Sequence, residues 1–384
     1  MNQQMHDRLD DNSESASAWM RYSPLDGVPR QRLQESWEFR GQRYPVDVTA
    51  GKRLDVLALK GASTDEVRRY AAFLKSVSDR IYGPGALQRL VEACPCCGKS
   101  SADAKDAMRV FSGVYVQCGE CGHAFVRDQP SMTVLSDLFQ ESAGHSSEYT
   151  DADLAVQRLR VQQISKPKLD WALSQFGRMF SQAPSTLIDV GAGGGHFVEA
   201  ARLQGLDVVG YEKSASSRTF ARKAFDIALI DGDFLSERGN GADIITFWGL
   251  LEYVPEPRRF ISAAKRRLSN KAGMLIVEVP RFNCVGSAVQ SLDGAVVARH
   301  MDPTSHINCF TDSSLCTALV EEGFKPVAAW YFGMDAYELL IQAAMRLNGD
   351  STLSALASMV NPLQAALDAG RQCDDLIVAA VPVN

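Results

Sequence analysis

Two patterns in this sequence have residue types and spacings that can do chemistry. The first is Cys94-Pro95-Cys96-Cys97-Gly98 and, after residues 98–117, Cys118-Gly119-Glu120-Cys121-Gly122. Two Cys-x-x-Cys knuckles at that separation each offer two thiolates from a tight turn, and together they complete a tetrahedron for a zinc ion. Cys94, Cys97, Cys118 and Cys121 are the expected ligands; the Cys-Pro-x-Cys-Gly frame leaves Cys96 outside, and His123 is a weaker competitor for the place of Cys121. Four thiolates leave no position open to water, so such a site is structural rather than catalytic. The second pattern is Leu187-Ile188-Asp189-Val190-Gly191-Ala192-Gly193-Gly194-Gly195. Apolar residues run into an acid, three alternate glycines follow, and an amphipathic stretch comes next. That order reads as strand, tight turn, helix. The glycines let a ligand approach without a Cβ in the way, and the helix start offers free N–H groups to an anionic group.

A dinucleotide fingerprint would want a glycine at residue 196, which is His196. The pattern present is Asp-x-Gly-x-Gly-x-Gly, and it resembles motif I of the class I S-adenosylmethionine (SAM) dependent methyltransferases. The resemblance implies that Asp189, Gly191, Gly193 and Gly195 bind the cofactor. Glu212 ends the next apolar run about 20 residues past the glycine turn, where a carboxylate can accept both hydroxyls of a ribose.

The elements that must position these residues alternate as a parallel sheet requires. Expected strands end at Asp189 and span Asp207 to Tyr211, Ile227 to Ile230, Asp243 to Phe247, Met274 to Val279, Val327 to Tyr331 and Asp375 to Val381. The expected fold class is α/β: a doubly wound, Rossmann-like, seven-stranded sheet whose last strand is antiparallel. A zinc ribbon and a small α+β N-terminal region precede it. Residues 1–20 are expected to be disordered, 21–90 to form an accessory region and 91–127 the ribbon. Residues 128–164 are expected to supply a linker and lid helix, and 165–384 the methyltransferase domain. Within the accessory region, residues 37–48 suggest two strands about a Gly41 turn, and Ser63 with Glu66 suggests a helix start. A helical pattern from Leu154 to Phe176 is expected to be interrupted at Pro167.

The resemblance carries further residues. An acid after the third strand, here Asp233 with Phe234 beside it, is implied to meet the adenine, and Trp248 to Leu250 to line the methionine side. Many such methyltransferases show Leu-Glu-His after the fourth strand; here the residues are Leu251-Glu252-Tyr253, so no base is assigned to Tyr253. The run His300-Met301-Asp302-Pro303-Thr304-Ser305-His306-Ile307-Asn308-Cys309-Phe310-Thr311 is similar to the substrate loop of bacterial sugar and small-molecule methyltransferases, which also carry a zinc ribbon. His300 and His306 are the candidate general bases, with His306 favoured for its polar neighbours Ser305 and Asn308. The Tyr/His-rich stretch of the sugar C-methyltransferases is not found intact.

Bulk properties narrow the function classes. The 384 residues carry a net charge of −6, which argues against a nucleic-acid partner. No apolar run is long enough to span a bilayer, and the polar N-terminus lacks the features of a secretion signal. Nine cysteines without such a signal argue for a cytoplasmic protein without a disulfide framework. The expected activity is SAM-dependent methyl transfer to a hydroxyl of a small-molecule, sugar-nucleotide or other carbohydrate-like acceptor. The competing readings are an RNA methyltransferase that grips RNA with its ribbon, and a non-catalytic SAM-binding scaffold.

Overall fold

Strands buried on both faces read as continuous apolar runs, and this chain sets several of them side by side. The computed structural model describes residues 4–8, 19–24, 32–52, 64–131, 133–134, 154–237, 241–291, 301–346 and 355–383. The N-terminal elements are strands β1 (Gln4–Arg8), β2 (Met20–Pro24), β3 (Arg32–Phe39) and β4 (Gln42–Ala50), then helix α1 (Thr64–Tyr82). Strands β5 (Gln88–Leu90), β6 (Lys105–Val110), β7 (Gly113–Gln117), β8 (Ala124–Val126) and β9 (Asp128–Pro130) follow. Helices α2 (Leu154–Arg160) and α3 (Lys166–Phe180) flank a π-turn at Val161–Ser165. Then come β10 (Thr186–Val190), α4 (His196–Leu203), β11 (Asp207–Tyr211), α5 (Ala215–Phe225), β12 (Ile244–Trp248), α6 (Pro257–Arg267), β13 (Met274–Pro280) and α7 (Val285–Ser291). The chain continues with β14 (Asn308–Cys309), α8 (Asp312–Glu321), β15 (Phe324–Phe332), α9 (Asp335–Arg346), α10 (Val360–Ala369) and β16 (Asp375–Pro382).

One ten-stranded sheet runs in the order β1-β2-β3-β4-β15-β16-β13-β12-β10-β11. Strands β11, β10, β12 and β13 are parallel, and β16 is inserted antiparallel between β13 and β15. Every residue of β13 is buried. Strand order reverses between β11 and β12 on either side of β10, which opens a crevice at the carboxyl edge there. The expected third strand contracts to one parallel bridge, Tyr211 to Ile230. This sheet edge makes few demands on Ile227–Ile230, because Ile230 N–H and C=O already close the ladder to Gly210 and Glu212.

Two expectations about the N-terminus change. The hairpin about Gly41 forms, with Arg40 and Gly41 both at positive φ, as a tight two-residue turn requires. It does not stand in a sheet of its own, however: β4 pairs in parallel with β15 and extends the central sheet. Residues 4–8, expected to lack structure, pair with β2; main-chain hydrogen bonds suffice for a polar edge strand. Trp19 explains the docking. It is 1% exposed, stacks on Phe39 at 4.9 Å and donates its indole N–H to Thr317 of α8. The helix expected from Ser63 begins at Thr64; Ser63 itself lies outside the described residues. Pro167 does not interrupt the lid helix. The wider π-turn just before it, with Lys166 N–H reaching Val161 C=O, makes room for a ring that would clash with the previous turn of an α-helix.

The ribbon strands form a second sheet, ordered β14-β8-β7-β6. Its outer member β14 belongs to the loop before α8, so the two parts of the chain share a sheet. The knuckle cysteines pack in the same core cluster as Leu315 and Cys316 of α8.

Candidate cofactor and acceptor site

The glycine turn lies at the carboxyl end of β10, over the crevice. A Cβ at Gly191 would come within 3.1 Å of Leu250, whereas one at Gly193 would meet nothing within 4 Å. Open space above Gly193 is where a ligand can lie against bare backbone. Glu212, at the end of β11, turns toward that space. Its two carboxylate oxygens accept from Gly193 N–H and Ser214 N–H, each at 2.7 Å. Burial raises the pKa of Glu212, and those backbone donors oppose the rise. Asp189 sits beneath the turn, 1% exposed, and accepts from Thr246 Oγ1 at 2.8 Å. Burial pushes its pKa up to about 7.

The remaining expected cofactor residues line the same edge unequally. Asp233 is exposed and accepts from Leu235 N–H, a local turn cap. Phe234 is 3% exposed and packs against Tyr211, Phe247 and Phe260, a floor more than a contact surface. Trp248 packs on Phe197, and its indole N–H is buried without an acceptor. Lys168 of α3, a residue that sequence reading missed, lies over the Trp248 ring and pairs with Glu278. Its position on the lid helix gave no signal. His196 bonds Gln157 of α2 and stacks on Phe220, clasping the lid to α4. An open cradle, a bracketed carboxylate and an unpaired buried donor fit a nucleoside with a polar tail. The residues that could hold SAM are therefore Gly191 to Gly195, Glu212 and Trp248.

A few residues beyond Trp248 in the chain, the turn that carries Tyr253 meets a second loop. His306 is 8% exposed, and its Nε2 stands 2.9 Å from Tyr253 Oη. Asp302 braces the His306 backbone N–H through its carbonyl, and Tyr115 of β7 donates to the His306 carbonyl. Glu252 is buried with Oε2 unpaired, and burial pushes its pKa up to about 8. His300 lies outside the described residues. The sequence assigns no base at Tyr253; the fold brings His306 to it from another loop.

Cys94, Cys97, Cys118 and Cys121 converge with all four sulfurs within 4.8 Å of one another. The pairs Cys94–Cys121 and Cys97–Cys118 are 3.6 Å apart; a tetrahedron with zinc–sulfur bonds of about 2.3 Å requires roughly 3.8 Å. The donor set thus fits zinc. Cys96 is buried outside the cluster. His123 is also outside it and turns to Asn308, 3.0 Å away.

Residues 163–329 match a family model, Methyltransf_23, described as a methyltransferase domain. Residues 163–329 of the chain form a methyltransferase domain. Three solved structures resemble the methyltransferase chain. Magnesium protoporphyrin IX methyltransferase from Synechocystis PCC 6803, with bound SAH, gives a TM-score of 0.43 at 15% identity, covering 66% of this chain and 100% of that one. A SAM dependent methyltransferase from Archaeoglobus fulgidus gives 0.38 at 16% identity, covering 56% and 94%. The 1,6-didemethyltoxoflavin-N1-methyltransferase of Burkholderia thailandensis gives 0.41 at 13% identity, covering 73% and 100%. No curated protein matches the methyltransferase. Among the described residues, no helix is long and apolar enough to cross a membrane.

Proposed function

We propose that this methyltransferase methylates a hydroxyl of a small-molecule or carbohydrate-like acceptor, such as a sugar nucleotide, in the cytoplasm. The observation that carries the reading is the Tyr253–His306 hydrogen bond. When bound, SAM supplies an electrophilic methyl group on a sulfonium. Glu212 holds the ribose hydroxyls, and Gly191 to Gly195 admit the nucleoside against their backbone. Asp233 accepts from the adenine amine, with Phe234 as the floor beneath it. The indole N–H of Trp248 donates to the polar tail. Asp189 holds the turn from beneath. Methyl transfer is an in-line displacement, so the protein's main task is alignment. A hydroxyl nucleophile also has to lose its proton. Tyr253 Oη takes that proton as its own passes to His306 Nε2, which leaves a neutral phenol and an imidazolium.

The four-cysteine ribbon has a structural task in this reading. An RNA-gripping ribbon is disfavoured by the net charge of −6 and by the pairing of β8 with β14, which occupies one ribbon edge. The non-catalytic scaffold has no use for a half-buried Tyr–His pair.

Calorimetry with SAM tests the cofactor half, and a screen of sugar nucleotides with labelled SAM tests the acceptor half. His306→Gln and Tyr253→Phe should each lower turnover by about 100-fold with SAM affinity kept, as expected for loss of a proton acceptor. Unchanged turnover in His306→Gln would remove the base role.

A further inference from the structure

The loop that carries His306 is held from the ribbon side. Strand β14 pairs with β8 through Asn308 and Cys309, and Val126 N–H donates to Ile307 C=O. Asn308 is fully buried and makes the connection to the other half of the pair. Its amide Nδ2 donates to Leu251 C=O at 3.2 Å and Val254 C=O at 2.7 Å, the two carbonyls that flank Glu252 and Tyr253. Its backbone N–H donates to Glu252 C=O. Two carbonyl acceptors fix the amide orientation, so Oδ1 must accept, and the group that faces it is His123 Nε2 at 3.0 Å. His123 follows Cys121 by two residues, and its backbone carbonyl accepts from Cys118 N–H. A chain of hydrogen bonds thus runs from the knuckle turn through His123 and Asn308 to the turn that presents Tyr253. Among the described residues no comparable link reaches Gly191 to Gly195 or Glu212, whose hydrogen bonds run to Tyr211, Ser214, Arg218, Ile230, Glu199 and their own turn.

We propose that Asn308 is a positioning residue that couples the four-cysteine site to the Tyr253–His306 pair, so that metal loading orders the acceptor side of the enzyme and leaves the cofactor side alone. The inference rests on the proposed function only for the meaning of the pair. The physical case is that a buried asparagine amide with one lost partner no longer holds the other two in register, because each unpaired buried polar group costs free energy that the turn can relieve by moving. Removing the metal frees the knuckle turn, His123 follows, and the restraint on Leu251 and Val254 goes with it.

The test uses the full chain and three readouts. Cobalt substitution reports the thiolate site by its absorption spectrum. Calorimetry reports SAM affinity. Amide hydrogen exchange across residues 251–254, with the ring resonance of His306, reports the pair. Asn308→Ala should keep the cobalt spectrum and hold SAM affinity within about twofold, while exchange at 251–254 rises about tenfold, the equivalent of one lost buried hydrogen bond. His123→Phe keeps the ring stacking on Phe125 and removes only the bond to Asn308; it should release the same segment and shift the His306 resonance, and it serves should Asn308→Ala not fold. Stripping the metal with a chelator should reproduce both effects. Unchanged exchange at 251–254 and an unmoved His306 resonance in His123→Phe and in the stripped protein would overturn the coupling. Equal loosening at residues 191–195 would overturn it too, since it would mean general destabilisation. Failure of the wild-type chain to bind SAM would end the methyl-transfer reading alone, because the exchange result does not depend on it.

Discussion

At the scale of single residues, two carboxyls have opposite tasks set by their surroundings. Glu212 keeps two backbone donors on its oxygens and faces open space, so it is ready to exchange them for ribose hydroxyls. Glu212→Ala should weaken SAM binding by about 100-fold, the loss of two charge-assisted hydrogen bonds, and calorimetry reads it. Glu252 has no such donors for Oε2, and burial raises its pKa from an ordinary 4.5 to about 8. A raised carboxyl pKa means that the native state binds the proton more tightly than the unfolded state. Its contribution to stability is therefore fully present below pH 4.5 and is lost as pH climbs to about 8. The slope from this group is at most about 1.4 kcal/mol per pH unit in that window. Glu252→Gln, permanently neutral, should flatten the profile and exceed the wild type in stability at pH 8, as urea unfolding at pH 5 and pH 8 would measure.

At the scale of elements, helix ends and turns place the site. Gly195, at positive φ, is the N-cap of helix α4 and turns the chain from the glycine turn into it. Helix α8 follows the acceptor loop directly and starts with a reciprocal cap: Thr311 Oγ1 accepts from Ser314 N–H, and Ser314 Oγ accepts from Thr311 N–H. That cap fixes where the loop ends, two residues past the shared strand β14. Thr311→Ala should cost about 1–2 kcal/mol, the upper part of the range for a lost N-cap because this one is buried. The urea midpoint checks it. The lid is built differently. A π-turn absorbs Pro167 and lets α2 and α3 act as one roof, with His196 bonded to Gln157 at one end and Lys168 over Trp248 at the other.

At the scale of the whole molecule, the central sheet is extended at one margin, and a second sheet joins the ribbon to a distant loop. On the far side of β15, the N-terminal strands add to the central sheet, and Trp19 locks them onto α8. Glu35 of β3 pairs with Arg371 just before β16, and Arg281 pairs with buried Asp312. Such pairs specify position more than they add stability. Trp19→Ala should cost about 3–5 kcal/mol by emptying a packed aromatic site, and thermal unfolding with SAM titration would show a less stable protein with its cofactor affinity kept. In the second sheet, ribbon strand β8 pairs with β14 of the loop that carries His306.

How much of this was legible in the sequence follows from the range of each constraint. The knuckles, the glycine turn, Glu212 and most strand limits depend on spacing within one or two elements, and backbone geometry turns such spacing directly into structure. The seven expected strand positions agree with the sheet except at Ile227–Ile230, where edge pairing needed only one bridge. The Tyr253–His306 bond joins positions 53 apart, and His123–Asn308 joins positions 185 apart. No local periodicity encodes such pairs, because sheet order and packing decide which loops meet. The amino-acid sequence alone therefore determined the glycine turn, the strand end at Glu212 and the pairing of the four knuckle cysteines, each a matter of local geometry. Only the tertiary structure decided that Tyr253 meets His306 and that His123 of the ribbon meets Asn308, since those contacts exist only once distant segments have packed.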